Sequence, residues 1–473
     1  MLKIHNTLSQ KNEVFAPRHK KRVNLFVCGP TVYDFSHLGH ARTYIAFDMI
    51  ASYLKSLGYK VFYLQNITDL DDKIIDRAKQ ENVSWQELSN KFEAEYLRDI
   101  KALGISSVKK YAKATKYIKE IVSQVKKLIE KGYAYKLEDG IYYDISRFKD
   151  YGKLAKRTFA QAEDAVSRVD EAVGKRNKGD FSLWKYSKQG EPSWPFGSRR
   201  SLGVKVGRPG WHIEDTAITE KHFGPQYDIH GGAQDLIFPH HEAEISQMEA
   251  ISGKKPLVKY WMHTGFLTVG GQKMSKSLGN FITIRDFLKD NPARLLRMIV
   301  LKSHYRSPID YNKKILSQTK KELERIDEFV EKLKRSDSPN INIGKQSFKI
   351  LNFKKRFLEA MEDDFNTPTA LAAIFQLIGK GNLLLDKGKL TKTNAAEIIK
   401  FLKETDKIFK FIFWGKRPVS LIPEMIKNLA EEREIARKNS DWRKADSLRM
   451  KILEMGYNID DTKRGPVLKK IRI

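Results

Sequence analysis

The sequence predicts an α/β protein: a parallel sheet layered with helices and broken by an insertion, then a helical bundle, then a small C-terminal domain. Three observations carry this. Strand-like and helix-like patterns alternate through residues 1–114, pause over 115–207, and resume at Asp228. After Tyr311 the chain becomes helical and charged. A late boundary follows at Gly415-Lys416-Arg417-Pro418. Alternating β and α elements imply a parallel sheet, with ligands bound at the C-terminal ends of its strands.

Taken in order, residues 23–27 read as the first strand and end in a turn, Cys28-Gly29-Pro30. A helix pattern follows, with apolar Ile50, Tyr53, Leu54 and Leu57 at i, i+3, i+4 and i+7, closing at Gly58. Residues 61–64 form the next strand candidate, ending at Asn66-Ile67-Thr68-Asp69, and a helix begins at Asp71. Within the insertion, 118–131 reads as a helix and 133–143 as a hairpin, before a loop rich in Gly, Pro, Trp and Arg at 190–210. Pro239 suits the first position of a helix, which would put His240 and Glu244 on one face at i, i+4. Residues 315–334 form a long amphipathic helix, 336–344 a linker or inter-helix loop, and 348–413 further helices. The segment 425–473 carries two helical patterns and a basic tail.

Composition narrows the partners. The 473 residues are 41% hydrophobic and 11% aromatic, a globular balance. The formal net charge is +29 and the pI about 9.7, which point to a polyanionic partner, nucleic acid first. No stretch reads as a spanning helix of ~18 apolar residues. Residues 1–15 lack an apolar leader core, and the single cysteine excludes internal disulfides and fits a reducing cytosol.

Two segments carry chemistry. His37-Leu38-Gly39-His40 falls at the N-terminal end of the helix after the first strand. Free N–H groups and the helix dipole make that end an anion site. Gly39 allows a base or sugar to approach closely, and two imidazoles can donate to phosphate oxygens. Lys273-Met274-Ser275-Lys276-Ser277, flanked by Gly270-Gly271 and Gly279-Asn280, reads as a mobile loop. Lys273 and Lys276 can neutralise a departing pyrophosphate from the far side. In this order, the pair describes a site that handles a nucleoside triphosphate from both sides.

This pair resembles the signature of class I aminoacyl-tRNA synthetases. Surrounding segments narrow the resemblance to the cysteinyl-tRNA synthetases. They are Phe26-Val-Cys-Gly-Pro-Thr-Val-Tyr-Asp34, Asn66-Ile-Thr-Asp-Leu-Asp-Asp-Lys73, Gly207-Arg-Pro-Gly-Trp-His-Ile-Glu214, and the run from Asp228-Ile-His-Gly-Gly to Phe238-Pro-His-His-Glu242. Trp261-Met-His-Thr-Gly265, Ser303-His-Tyr-Arg-Ser307 and Asp363-Asp-Phe-Asn-Thr-Pro368 continue it. The resemblance implies a Rossmann-type catalytic domain in two halves, 1–114 and 208–260, around a connective insertion at 115–207. It further implies a stem-contact region with the lysine loop at 261–312, a helical bundle at 313–414 and an anticodon-binding domain at 415–473. The implied reaction is activation of L-cysteine with ATP and Mg2+, then transfer to the 3′ end of tRNA(Cys), by a monomeric cytoplasmic enzyme.

The resemblance also assigns site residues. Cys28, His240 and Glu244 fall on three of the family's four zinc ligands, and the zinc takes the substrate sulfur as a further ligand. Zinc prefers a thiolate to a serine hydroxyl, so direct coordination discriminates by sulfur chemistry where a pocket cannot. The fourth family ligand is a cysteine; here that position is Asp215. Either Asp215 binds zinc through an oxygen, giving a harder Cys-Asp-His-Glu site, or zinc is absent and a neutral thiol fits a small pocket. Gly29 and Thr68 fall where the family holds the substrate's backbone ends. Trp211 and Asp235 lie in the same pocket, with His230 near the sulfur. Trp442 would stack on an unpaired base or pack between two helices. Two rival readings stand beside this one: a ligase that passes cysteine to an amino sugar, and a non-catalytic RNA-binding paralogue.

Overall fold

The computed structural model describes residues 1–158, 160–161, 173–197, 205–275, 278–335, 349–414, 424–462 and 465–470. The chain forms two compact units, Met1–Ile412 and Phe413–Ile473.

The first unit opens with an antiparallel hairpin, β1 (Lys3–Asn6) and β2 (Lys11–Val14). The alternating region then gives β3 (Arg22–Val27), α1 (Leu38–Ser56), β4 (Lys60–Ile67), α2 (Asp72–Glu81), α3 (Trp85–Ala102), β5 (Lys110–Lys113) and α4 (Ile118–Glu130). Four short strands follow: β6 (Ala134–Lys136), β7 (Gly140–Tyr143), β8 (Phe181–Tyr186) and β9 (Gly207–Pro209). Then come α5 (Ile213–Phe223), β10 (Tyr227–Ala233), α6 (Glu242–Ser252) and β11 (Val258–Thr264).

β3, β4, β5, β10 and β11 form one parallel sheet in the order β11-β10-β3-β4-β5. Counted along the chain, this is the Rossmann-type order, reversing direction between β3 and β10. β3 is buried along its length after Arg22, as a strand covered on both faces must be. α1 is buried from Leu38 to Leu54 with few exceptions, so it is sandwiched rather than amphipathic. Gly58 at φ +88° ends it, a left-handed position that glycine occupies without Cβ strain.

The insertion is a separate antiparallel sheet, β6-β7-β8-β9, between α4 and α5. Asp72 at the start of α2 pins it, 2.8 Å from Lys185 of β8 and also paired with Arg208 of β9.

Past β11 the chain adds β12 (Leu267–Val269), β13 (Gln272–Lys273), α7 (Ile284–Asp290), α8 (Ala293–Leu301) and β14 (Ile309–Tyr311). β13-β12-β14 form a small sheet that carries the lysine loop. The expected division at 260/261 falls inside β11. The bundle is α9 (Lys313–Lys334), α10 (Ile350–Glu362), α11 (Thr367–Asp386) and α12 (Lys392–Phe409). An ion cluster built on the fully buried Asp48 and Arg297 ties it to α1: Asp48 lies 2.9 Å from Arg297 of α8 and 2.9 Å from the partly exposed Lys410 at the end of α12.

The second unit has its own small core, Ile426, Ala430, Ile452, Tyr457 and Ile459. Its elements are α13 (Glu424–Lys438), α14 (Trp442–Glu454) and a hairpin, β15 (Tyr457–Thr462) and β16 (Gly465–Lys470).

Two expectations change and one holds. The basic tail is this β-hairpin, held to α13 by Arg433–Asp461 at 2.8 Å; its short alternation is masked in sequence by lysines and arginines. Pro239 follows a cis bond after an extended Phe238 and, as the sequence suggests, opens a helical turn at 239–241 that runs straight into α6 at Glu242. Among the described residues one helix, α11, is long and apolar enough to cross a membrane by composition, with 39% of its apolar window buried. Its apolar positions pack against α9 and α10, as in a bundle's central helix. The expected loop at 336–344 and the boundary at 415–418 lie outside the described residues.

Candidate active site

Cys28 ends β3 at the switch point, beside β10, where an open parallel sheet leaves a crevice. Three groups surround its sulfur: Asp215 Oδ2 at 3.3 Å, His230 Nε2 at 3.3 Å and His241 Nε2 at 3.1 Å. Asp215 sits in the first turn of α5, His230 on β10, and His241 just before α6. His240 Nε2 lies 3.1 Å from Asp215 Oδ2 and 3.4 Å from Glu244 Oε1. So His240 and Glu244 do meet, at i, i+4 on the helical turn that opens at Pro239 and continues into α6. Every one of these side chains is buried.

The cluster is short of positive charge. Asp215 Oδ1 and both oxygens of Glu244 are buried without a hydrogen-bond partner. Burial, then Asp215, pushes the Glu244 carboxyl well above its usual range. Burial, then Asp215 and Glu244, pushes the Cys28 thiol up. Burial holds His212, His230 and His241 far below the usual imidazole value, so these three do not compensate. A divalent cation would satisfy the orphaned oxygens and reverse both shifts.

Two donor sets have the spacing for a metal: Cys28, Asp215, His240, Glu244, and Cys28, His230, His241, Glu244. Bonds of ~2.0 Å to N or O and ~2.3 Å to S give tetrahedral edges of about 3.3–3.5 Å. In the first set, Cys28–Asp215, Asp215–His240 and His240–Glu244 measure 3.3, 3.1 and 3.4 Å. The second fits less well, because His230 turns Nε2 to Cys28 but Nδ1 to Glu244, at 3.6 Å. The residues present fit a metal held by the first set.

A second ring of contacts orients these groups. His212 Nδ1 meets His240 Nδ1 at 2.9 Å, Tyr227 Oη meets His230 Nδ1 at 2.7 Å, and His241 Nδ1 meets His263 Nε2 at 2.8 Å. His263 passes on to Thr7 Oγ1 at 2.8 Å, so the N-terminal hairpin closes the back of the cluster. Trp211, 38% exposed, stacks on His240 at 4.2 Å and forms the solvent-side wall. Thr68 Oγ1 donates to Glu214 Oε2 at 2.8 Å, next to Asp215. Gly29 is packed so closely on β4 that a Cβ would lie 1.8 Å from the Asn66 carbonyl oxygen. Asp235 stands exposed on the turn after β10, away from these contacts. His241, Glu214 and His263 were not assigned from sequence; the bunching of seven of the 11 histidines between His212 and His304 is the signal that marks their region.

The two triphosphate segments are side by side. His37 is the N-cap of α1: its Nδ1 accepts from Gly39 N at 3.0 Å, while His40 Nδ1 accepts from His37 N at 3.2 Å. Both Nδ1 atoms being acceptors, each ring carries its proton on Nε2. Burial holds His37 at about 4 and His40 well below the usual imidazole value, so both are neutral N–H donors at physiological pH.

Downstream of the lysine loop, Leu38 N donates to Ile282 O at 3.1 Å, Ile284 N donates to Ser36 O at 2.8 Å, and Phe281 packs edge-on against His37 at 5.2 Å. The expectation of free N–H groups at the start of α1 is therefore corrected. The Leu38 and Gly39 donors are taken by Ile282 O and His37 Nδ1. Lys273 lies on β13, exposed; Lys276 and Ser277 lie outside the described residues.

The comparisons with known proteins agree with this geometry. The family described as tRNA synthetases class I (C) catalytic domain matches residues 14–321, and the DALR domain matches 356–413. The cysteine--tRNA ligase of Thermococcus gammatolerans is 42% identical over 100% of both chains. That of Thermoplasma volcanium is 44% identical over 98% of each. The chain belongs to the cysteinyl-tRNA synthetases. Among solved structures, Mycobacterium tuberculosis methionyl-tRNA synthetase in complex with methionyl-adenylate superposes at TM-score 0.61 with 16% identity, covering 83% of this chain and 88% of that one. The Agrobacterium radiobacter K84 agnB2 LeuRS-tRNA-LeuAMS complex matches at 0.61 and 12% identity, over 83% and 84%. These two share the class I synthetase fold with it.

Proposed function

We propose that this enzyme joins L-cysteine to ATP as cysteinyl-adenylate and then transfers the cysteinyl group to the 3′ end of tRNA(Cys). The observation that carries this is the buried Cys28 cluster at the switch point of the sheet, with Phe281 packed on His37 at the start of α1, in a chain matched along its length by cysteine--tRNA ligases. The match includes the DALR domain at 356–413, which favours a tRNA acceptor over an amino sugar. Intact His37, His40 and Lys273 argue against a non-catalytic paralogue.

In the first step the cysteine carboxylate attacks the α-phosphorus of Mg2+-bound ATP. The bond to the β-phosphate oxygen breaks and pyrophosphate leaves. His37 and His40 donate Nε2–H to oxygens that gain charge, while Lys273 and Lys276 neutralise the leaving group. Gly29 and Thr68 hold the substrate's backbone ends, with Trp211 and His230 around it. Cys28, Asp215, His240 and Glu244 would hold zinc, which when bound supplies a thiophilic Lewis acid for the substrate sulfur. In the second step a hydroxyl of the tRNA's terminal adenosine attacks the adenylate carbonyl, and AMP departs.

The test is zinc content measured with cysteine- and serine-dependent ATP–pyrophosphate exchange on one preparation, together with Asp215→Ala. One zinc per chain with strong cysteine preference, and zinc loss in Asp215→Ala, is the expected result. Full activity without zinc would remove Asp215 from the ligand set, and no cysteine-dependent exchange would overturn the reaction itself.

A further inference from the structure

Two consecutive non-glycine residues, Asp364 and Phe365, have φ of +52° and +53°. A left-handed backbone at a bulky, fully buried Phe is strained and persists only where its surroundings hold it. Those surroundings are specific. The bend turns both the carbonyl and the carboxylate of Asp364 toward the turn at residues 303–307. Asp364 O meets His304 Nε2 at 2.9 Å, Oδ1 accepts from Tyr305 Oη at 2.7 Å, and Oδ2 accepts from Arg306 Nε at 2.7 Å. Oδ1 also accepts from His5 N at 2.8 Å, and Asp364 N donates to Lys3 O at 2.9 Å.

The other side of the same turn faces α1. Arg42, two residues after His40 and 1% exposed, donates Nε to Gly265 O at 2.8 Å and Nη2 to Tyr305 O at 3.0 Å, and also reaches Ser307 O. Gly265 N donates to Tyr305 O at 2.9 Å, and a Cβ at Gly265 would lie 2.6 Å from Arg306 O. Gly265 leads directly into β12 and β13, which carry Lys273. Phe365 packs edge-on against Tyr53 of α1 at 5.9 Å. The turn is thus clamped between Asp364 and Arg42, and it joins the base of the lysine loop to the helix that carries both histidines.

We propose that Asp364 is a positioning residue for adenylate formation: it holds the turn at residues 303–307 against Arg42 and so sets the lysine loop opposite His37 and His40. The inference rests on the proposed reaction. A misplacement of this kind weakens stabilisation of the transition state more than binding of the ground state.

The experiment is cysteine-dependent ATP–pyrophosphate exchange by the full-length protein, wild type against Asp364→Asn, Asp364→Ala and Arg306→Ala. Phe357→Leu, in the core of α10, serves as a thermally matched control. Wild-type exchange is the baseline, so its absence counts against the reaction, whereas a loss confined to the variants concerns Asp364. For Asp364→Ala, kcat falls on the order of 100-fold while KM for ATP and cysteine moves less than about 3-fold. Asp364→Asn, which keeps an acceptor for Tyr305, and Arg306→Ala, which probes the same contact from the more exposed side, each lose about 10-fold. Should Asp364→Ala fail to fold, those two variants decide. Unchanged kcat in Asp364→Asn and Arg306→Ala, an effect confined to KM, or an equal kcat loss in Phe357→Leu would overturn the proposal.

Discussion

His37 shows how one side chain ties local structure to chemistry and to stability. As the N-cap of α1 it uses Nδ1 for the backbone, and burial keeps it neutral, at about 4 against 6.5 for the free side chain. Because the folded value is lowered, the unfolded chain takes up the proton first as pH falls. Between pH 6.5 and about 4 the unfolded state holds more protons, so stability rises with pH through that window and levels off above it. From pH 7 to pH 5 this one group removes up to about 2 kcal/mol, and somewhat less because the ring is only half-buried. Urea midpoints at the two pH values, for wild type and His37→Asn, measure it: the variant loses that part of the acid sensitivity. An identical pH dependence in both proteins would mean that His37 is already charged in the fold. In the pH–rate profile of exchange, the same lowered value places no His37 inflection between pH 6 and 9.

At the scale of elements, the N-terminal turn of α1 is where sequence and structure inform each other most. A Cβ on Gly39 would lie 2.7 Å from Cε1 and 2.8 Å from Nδ1 of His37. Gly39→Ala therefore displaces the His37 ring and breaks its cap. A lost cap costs about 1 kcal/mol, whereas a displaced donor lowers exchange on the order of 10²-fold, so activity falls much further than stability. Exchange within 3-fold of wild type would show that the ring has room to move aside.

The strand–turn–helix around Cys28 and His37 was legible because its spacing is local: Val23 to Val27 alternate into a turn, and Gly58 closes the helix. The grouping of Cys28, Asp215, His240 and Glu244 was legible only through resemblance, since Cys28, Asp215 and His240 come from different elements of the chain. One fact about the site was out of reach. The bond from Leu38 N to Ile282 O pairs residues more than half the chain apart, and no periodicity encodes such a contact. The terminal hairpin was lost for another reason: its alternation is short and its lysines hide it.

The first unit is held together in part by charge buried at the seam between sheet and bundle. Asp48, Arg297 and Lys410 come from α1, α8 and the end of α12, and Asp48 also accepts from the Ser106 and Ser107 amides. Arg297 and Lys410 hold the Asp48 carboxyl below its usual range despite burial. Asp48→Ala leaves Arg297 buried without its counter-ion, which costs about 3–5 kcal/mol. For the whole molecule the larger charge effect is outward. A net +29 is far more than a nucleotide or an amino acid requires. If it serves tRNA phosphates, each neutralised phosphate adds roughly 0.7–0.9 to the slope of log affinity against log salt. Four such contacts weaken tRNA binding by tens-fold between about 50 and 200 mM KCl. Cysteine and ATP engage a site built from buried and hydrogen-bonded groups, so ATP–pyrophosphate exchange changes by less than about 3-fold over the same range. Measuring both reactions on one preparation separates the two roles of charge. A steep fall in aminoacylation through KM for tRNA, with exchange flat, assigns the excess charge to RNA. Parallel behaviour of the two reactions would assign it to the protein's surface at large, and tRNA would then be held mainly by contacts other than phosphate.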